Sequence, residues 1–230
     1  MTPRVEKFDS REGAHLALAA AMDDAVRAAL ADARRPWLCL SGGSSPVALY
    51  GHLATSDWPW AQIDVTLSDE RWVPGDHPDS NEALLRRTMV TGPATQATVH
   101  GLYRNLVTPD EAVPALNEHF ASLAQPFDYC LLGMGGDGHT ASLFPDASNL
   151  QALLQETRPV AAAHVPRLAN PRITLSPPRL LASRHIGLLL FGDDKLAVLE
   201  RALAGDDLAE LPVRCVLRQG EVPVTCYWAS

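Results

Sequence analysis

Trp37-Leu38-Cys39-Leu40-Ser41-Gly42-Gly43-Ser44-Ser45-Pro46 is the stretch on which the fold turns. Its first four residues are all apolar, the pattern of a strand covered on both faces rather than one with a wet side. Two glycines then allow a sharp turn and a close backbone approach to a ligand. Pro46 suits the first position of a helix, with Ser45 as the expected N-cap. A buried strand, a glycine turn and a helix in succession form the unit of a layered α/β protein.

The same alternation continues outward in both directions. Helical periodicity is predicted over residues 11–33, 46–53, 81–88, 109–124 and 194–204. In the first of these, Leu18, Met22, Ala25, Val26 and Leu30 recur on one face. Strands are predicted at 37–40, 65–67, 127–132, 159–165, 173–175, 186–191, 213–217 and 224–228. The expected fold class is α/β with a mostly parallel sheet. The strand-rich segments 160–175 and 213–228 predict a small antiparallel patch at one side. No linker rich in Gly, Ser or Pro divides the chain, so one domain over residues 1–230 is expected.

Composition narrows the function. Hydrophobic residues make up 47% and charged residues 20% of 230 positions, as in an ordinary globular protein. Nineteen Lys and Arg against 27 Asp and Glu leave a formal charge of −8, which argues against nucleic acid as a partner. No apolar run is long enough to cross a bilayer, and the N-terminus lacks a signal-peptide pattern, so a cytoplasmic protein is expected. Cys39, Cys130, Cys215 and Cys226 each sit in a short apolar run without a C-x-x-C pair, which reads as four reduced core thiols. No H-E-x-x-H and no histidine pair at ligand spacing singles out a metal site.

Ligands of open α/β sheets bind beyond the carboxyl ends of the strands, and three loops there are unusual. The first, Ser41–Pro46, offers free N–H groups and hydroxyls to an anion at a helix start. It nearly matches the G-x-S-x-G nucleophile elbow around Ser44, but Pro46 stands where the last glycine belongs. The second, residues 68–74 (SDERWVP), places three charges at a strand end. Arg71 there suits an anionic oxygen, and Asp69 a hydroxyl or the arginine itself. Ser80 follows as a candidate helix cap, and Asn81 as a partner for the loop or a sugar.

The third loop, residues 133–145 (GMGGDGHTASLFP), contains G-x-G-x-x-G at Gly133, Gly135 and Gly138. Pro145 interrupts any helix it would open, and Glu156 does not end a strand, so a dinucleotide site is discounted. What remains is His139 two residues from Asp137 on a glycine-supported turn, a suitable general base. Two basic positions complete the set. Arg172 leads into a strand, and Lys195 lies in a helix's first turn, where it opposes the dipole unless an anion binds there.

These segments, in this order and spacing, resemble the signatures of the 6-phosphogluconolactonases across essentially the whole chain. The segment from Gly133 to Pro145 is the most specific; SGGSSP is shared with the glucosamine-6-phosphate deaminases. In that group the segment carries a glutamate just before its proline, where this chain has Phe144. The resemblance implies a Rossmann-like three-layer α/β sandwich that hydrolyses 6-phospho-D-glucono-1,5-lactone in the oxidative pentose phosphate pathway. It implies no cofactor, no metal, and a small sugar phosphate as partner, with a monomer favoured. Expected catalytic residues are His139 as base toward water, Asp137 as its orienting group, and Arg71 or amides near Gly135–Gly136 at the oxyanion. Expected substrate-binding residues are Ser41, Gly42, Gly43, Ser44, Asp69, Asn81, Arg172 and Lys195. The rival expectations are a glucosamine-6-phosphate deaminase or sugar-phosphate isomerase, and a non-catalytic sugar-phosphate sensor.

Overall fold

The computed structural model describes residues 2–123 and 125–230. In chain order its strands are β1 Arg4–Phe8, β2 Trp37–Leu40, β3 Asp64–Leu67, β4 Asp69–Arg71, β5 Thr98–His100, β6 Tyr129–Leu132, β7 Val160–Ala163, β8 Arg172–Leu175, β9 Ile186–Phe191 and β10 Val224–Ala229. The α-helices are α1 Arg11–Ala31, α2 Val47–Ala54, α3 Asn81–Thr88, α4 Pro109–Ser122, α5 Leu150–Leu154, α6 Pro177–Leu181, α7 Asp193–Ala204 and α8 Arg214–Leu217.

Seven strands form a parallel sheet in the order β1-β10-β9-β6-β2-β3-β5. Its central strands β2 and β6 are buried at every residue, as their unbroken apolar runs require. Alternation along the strands assigns the covering helices to faces. Trp37 stacks on Phe120 of α4, so α4 covers one face. On the other face a methyl built at Gly187 would lie 3.1 Å from Leu18 of α1, so glycine there lets the helix sit close. Ser10 caps α1 by accepting the Gly13 N–H, and Ala14, Leu18, Met22, Ala25, Val26 and Ala29 form its buried stripe. Helix, sheet, helix is the three-layer sandwich.

A second sheet, β4-β8-β7, is antiparallel and has three strands. Asn117 of α4 pins it by donating to Val160 O at 3.0 Å and accepting from Val160 N at 2.7 Å. A smaller apolar cluster that includes Leu143, Phe144, Leu150, Leu153, Ala161 and Val165 packs beneath it.

Several boundaries differ from the sequence expectations. Segment 213–217 is not a strand; it holds the short helix α8. The reason is Arg214, which is buried and donates to Arg201 O and Ala202 O at the end of α7, and to Glu210. A strand would not return its backbone to that point. The charged segment 68–74 contains β4, whose ladder to β8 is invisible to hydrophobic patterning. Ser45 does not cap α2. Val47 N–H closes a turn onto Ser44 O, Pro46 takes the cap position, and no side chain caps the helix. The predicted helix 109–124 ends at Ser122, and Ala124 lies outside the described residues. The edge strands β1 and β5 have no clear signal in the sequence.

Candidate active site

The strand order brings together loops that are far apart in the chain. β9, β6, β2 and β3 are consecutive neighbours. The chain leaves β2 toward β3 on one side, while β6 lies on the other, so a crevice opens between the loops after β2 and β6. A cleft of about 320 Å³ occupies that crevice. Its wall includes Ser41–Pro46 after β2, Asp69 and Arg71 after β3, Gly133–Gly135, His139 and Ala141 after β6, and Lys195 after β9.

The loop after β2 is tied back by its carbonyls. Tyr50 Oη donates to Ser41 O, and His15 Nε2 lies 2.8 Å from Ser45 O. Gly43 has φ +86, a region that favours glycine. A methyl at Gly42 would stand 2.0 Å from Asn81 Oδ1, so Asn81 closes over this turn and leaves room only for glycine. With these carbonyls engaged, Ser41–Pro46 line the cleft, and a glycine-serine turn of this kind can receive an anion.

The loop after β3 is organised by Glu70, a residue that sequence reasoning missed. Glu70 is fully buried and its carboxylate accepts from the backbone N–H of Arg71, Asn81 and Glu82 and from Ser80 Oγ, at 2.6–3.0 Å. It thus occupies the positive N-terminus of α3, where Ser80 also caps Ala83 N–H. Burial pushes the Glu70 carboxyl up, and the four hydrogen bonds oppose that shift. Asn81 Nδ2 donates to Asp69 O, so this side chain serves the loop. Ser142 Oγ donates to Asp69 Oδ2 at 2.6 Å and joins the second loop to the third.

His139 lines the cleft together with Asp69, Arg71 and Lys195. Its Nδ1 lies 2.5 Å from Asp137 Oδ1, and its backbone N–H reaches the same oxygen at 3.2 Å. An ionised carboxylate only accepts, so Nδ1 carries a proton, and whenever the ring is neutral the lone pair is on Nε2. Among the described residues Nε2 has no hydrogen-bond partner. Partial burial pulls the Asp137 carboxyl up, but the hydrogen bonds and charge of His139 outweigh it and bring the group down to about 2. Asp137 itself does not line the cleft; it stands behind the histidine in an adjoining surface pocket. Phe144 lies against the imidazole with ring centroids 4.0 Å apart. Ala141 has φ +47, a strained value for alanine that costs about 1 kcal/mol and sits between His139 and Ser142.

Lys195 Nζ donates to Met134 O at 3.0 Å and reaches the wall formed by the third loop. Arg71 Nη1 donates to Asp79 O at 2.7 Å and lines the opposite wall. The structure does not bring Arg172 into the cleft. It pairs with Arg71 across β8 and β4, and its guanidinium donates to the carbonyl of Asn170. Burial, then the charge of Arg71, lowers the Arg172 pKa. Neither arginine is paired with a carboxylate among the described residues, in a chain with excess acid.

Residues 9–226 match the family described as glucosamine-6-phosphate isomerases/6-phosphogluconolactonase. The chain is similar to the 6-phosphogluconolactonase of Pseudomonas aeruginosa, 41% identical over 214 residues, 92% of this chain and 88% of that one. It is 34% identical to the 6-phosphogluconolactonase of Rhizobium meliloti over the full length of both chains. The crystal structure of a 6-phosphogluconolactonase from Shewanella baltica superposes with a TM-score of 0.96 at 35% identity, covering 99% of this chain and 98% of that one. A monomeric glucosamine-6-phosphate deaminase shares the fold at 17% identity, with a TM-score of 0.81. The chain belongs to the family of glucosamine-6-phosphate isomerases and 6-phosphogluconolactonases.

Proposed function

We propose that this chain hydrolyses 6-phospho-D-glucono-1,5-lactone to 6-phosphogluconate, with His139 activating the attacking water. The observation that carries the reading is one cleft lined both by the Ser41–Pro46 turn and by an imidazole whose Nδ1 is engaged by Asp137. His139 Nε2 takes a proton as water oxygen bonds to C1. The carbonyl electrons move onto oxygen, and Arg71 stabilises that oxyanion, whereas the expected amide donor at Gly135 is already given to His139 O at 2.8 Å. Its collapse breaks the C1–O5 bond, the imidazolium protonates O5, and the new carboxylic acid ionises to solvent. A lactone is a reactive ester, so one base and one oxyanion site suffice.

Ser41–Ser44 and Lys195 hold the phosphate away from the reacting carbon. Arg172 contributes positive charge at one remove, beside Arg71. The deaminase alternative needs a further acid–base group, and the position at which a carboxylate would serve carries Phe144, in contact with His139. Four free cysteines, three of them buried, support a cytoplasmic setting, and no helix among the described residues is long and apolar enough to cross a membrane. His139→Asn tests the assignment in a lactonase assay near pH 6. Turnover should fall about 10²–10⁴-fold with little change in KM, and near-normal turnover removes His139 from this role.

A further inference from the structure

We infer that Arg167 is a positioning residue for the His139–Asp137 pair, acting through the second oxygen of Asp137 and through Phe144. The inference rests on the lactonase reading of the same site. Asp137 spends Oδ1 on His139. Its Oδ2 accepts from Arg167 Nη2 at 2.9 Å, so the carboxylate is gripped at both ends and cannot turn. The guanidinium is fixed in turn, because its Nε donates to Asp146 Oδ2 at 2.5 Å. Its Cζ also lies 5.1 Å from the centroid of Phe144, the ring that packs on His139. Arg167 and the imidazole therefore both lie against the Phe144 ring, and Arg167, Asp137 and the imidazole form a hydrogen-bonded chain.

Stability does not explain this construction. Arg167 is 47% exposed and its partners 35% and 45%, and pairs that wet add little to folding. Orientation does explain it. A planar fork bridging two carboxylates fixes an angle that a lone ammonium cannot. Arg167 lines the shallow pocket behind His139, away from the Ser41–Pro46 turn, so its effect belongs to the base and not to phosphate binding.

The charged groups around His139 set the direction of the expected change. Asp137 and Arg167 stand behind it, with Asp146 beyond; Lys195 approaches from α7, and Asp69 and Arg71 face it across the cleft. Removing the guanidinium takes away a nearby cation and leaves the Asp137 charge less neutralised. Loss of that cation's field favours the imidazolium, so the midpoint of His139 rises, by about one pH unit for charges at this separation.

NMR titration of the imidazole in the free protein, with His139→Asn identifying its resonance, reads that midpoint without any turnover. Arg167→Met should raise it by about one pH unit, move the acid limb of kcat/KM with it, and lower kcat about tenfold at unchanged KM. Arg167→Lys should restore the midpoint while leaving kcat about threefold low, because charge returns without the fork. An unmoved midpoint in Arg167→Met, or a loss appearing in KM, overturns the inference. If the methionine variant does not fold, wild-type kcat in Arg167→Lys overturns it equally. Absence of lactonase turnover in the unaltered protein would instead sink the functional reading, with the midpoint still judging Arg167.

Discussion

Replacing Gly135 with alanine displaces His139, the proposed base, by a distance that can be worked out. A methyl at this position would stand 2.1 Å from His139 Nδ1, 2.2 Å from Cε1 and 2.4 Å from Asp137 Oδ1. To regain ordinary contact at 3.4 Å the imidazole must retreat by about 1.3 Å. Misplacement on that scale costs about 10²-fold in rate, near 2.7 kcal/mol of barrier. Folding should suffer far less. Gly135 has no left-handed φ, and the imidazole is 30% exposed and can swing toward solvent. One lost side-chain hydrogen bond amounts to about 1 kcal/mol, a Tm change of about 2–4 °C at this chain length. Steady-state lactonase kinetics should therefore show a large loss where a thermal melt shows a small shift. Gly51→Ala is the control, since nothing lies within 4 Å of that methyl and a helix gains about 0.5–1 kcal/mol from the exchange. Turnover of Gly135→Ala within threefold of the unaltered protein would refute the claim that the placement of His139 governs the rate.

Two further outcomes are expected. Lys195→Ala should raise KM for the phosphorylated lactone by about 10–100-fold and spare weak activity on the unphosphorylated one; an equal loss on both would detach Lys195 from the phosphate. Acid should weaken the fold through two carboxylates held down to about 2 in the native state. They are Asp137, where partial burial is outweighed by His139, and Glu156, held by hydrogen bonds from Arg158. Their unfolded values are 3.8 and 4.5, so their stabilising contribution is complete above about pH 5 and disappears as pH falls toward 2. Urea midpoints at pH 5, 3.5 and 2.5 measure it, and an unchanged acid slope in the Asp137→Asn, Glu156→Gln variant would contradict the assignment.

Much of this protein is legible in its sequence, because its informative features are local. Four consecutive apolar residues before a glycine turn can only be a covered strand, and a stripe at helical spacing can only be one buried face. Glycines at 42, 43, 135 and 138 mark places where backbone and ligand or side chain must come close, and the structure gives each a neighbour or a φ that excludes a methyl, φ +86 in the case of Gly43. Charged and short segments are opaque for the converse reason. Glu70 reads as one acid among several in SDERWVP, and only the fold shows its carboxylate buried on the N-terminus of α3. Arg214 reads as an interruption in a strand, whereas it closes the end of α7. Arg167 carries no pattern of its own, since its partners lie 21 and 30 residues away in the chain. Chain-local chemistry determined the elements and nominated the histidine, the glycine-serine turn and the lysine. The order of strands, and nothing in the one-dimensional pattern, decided that β9, β6, β2 and β3 stand side by side so that those groups meet in one cleft. Parallel pairing joins strands that are remote in sequence, and hydrophobic periodicity records which face of a strand is buried without recording which strand lies beside it.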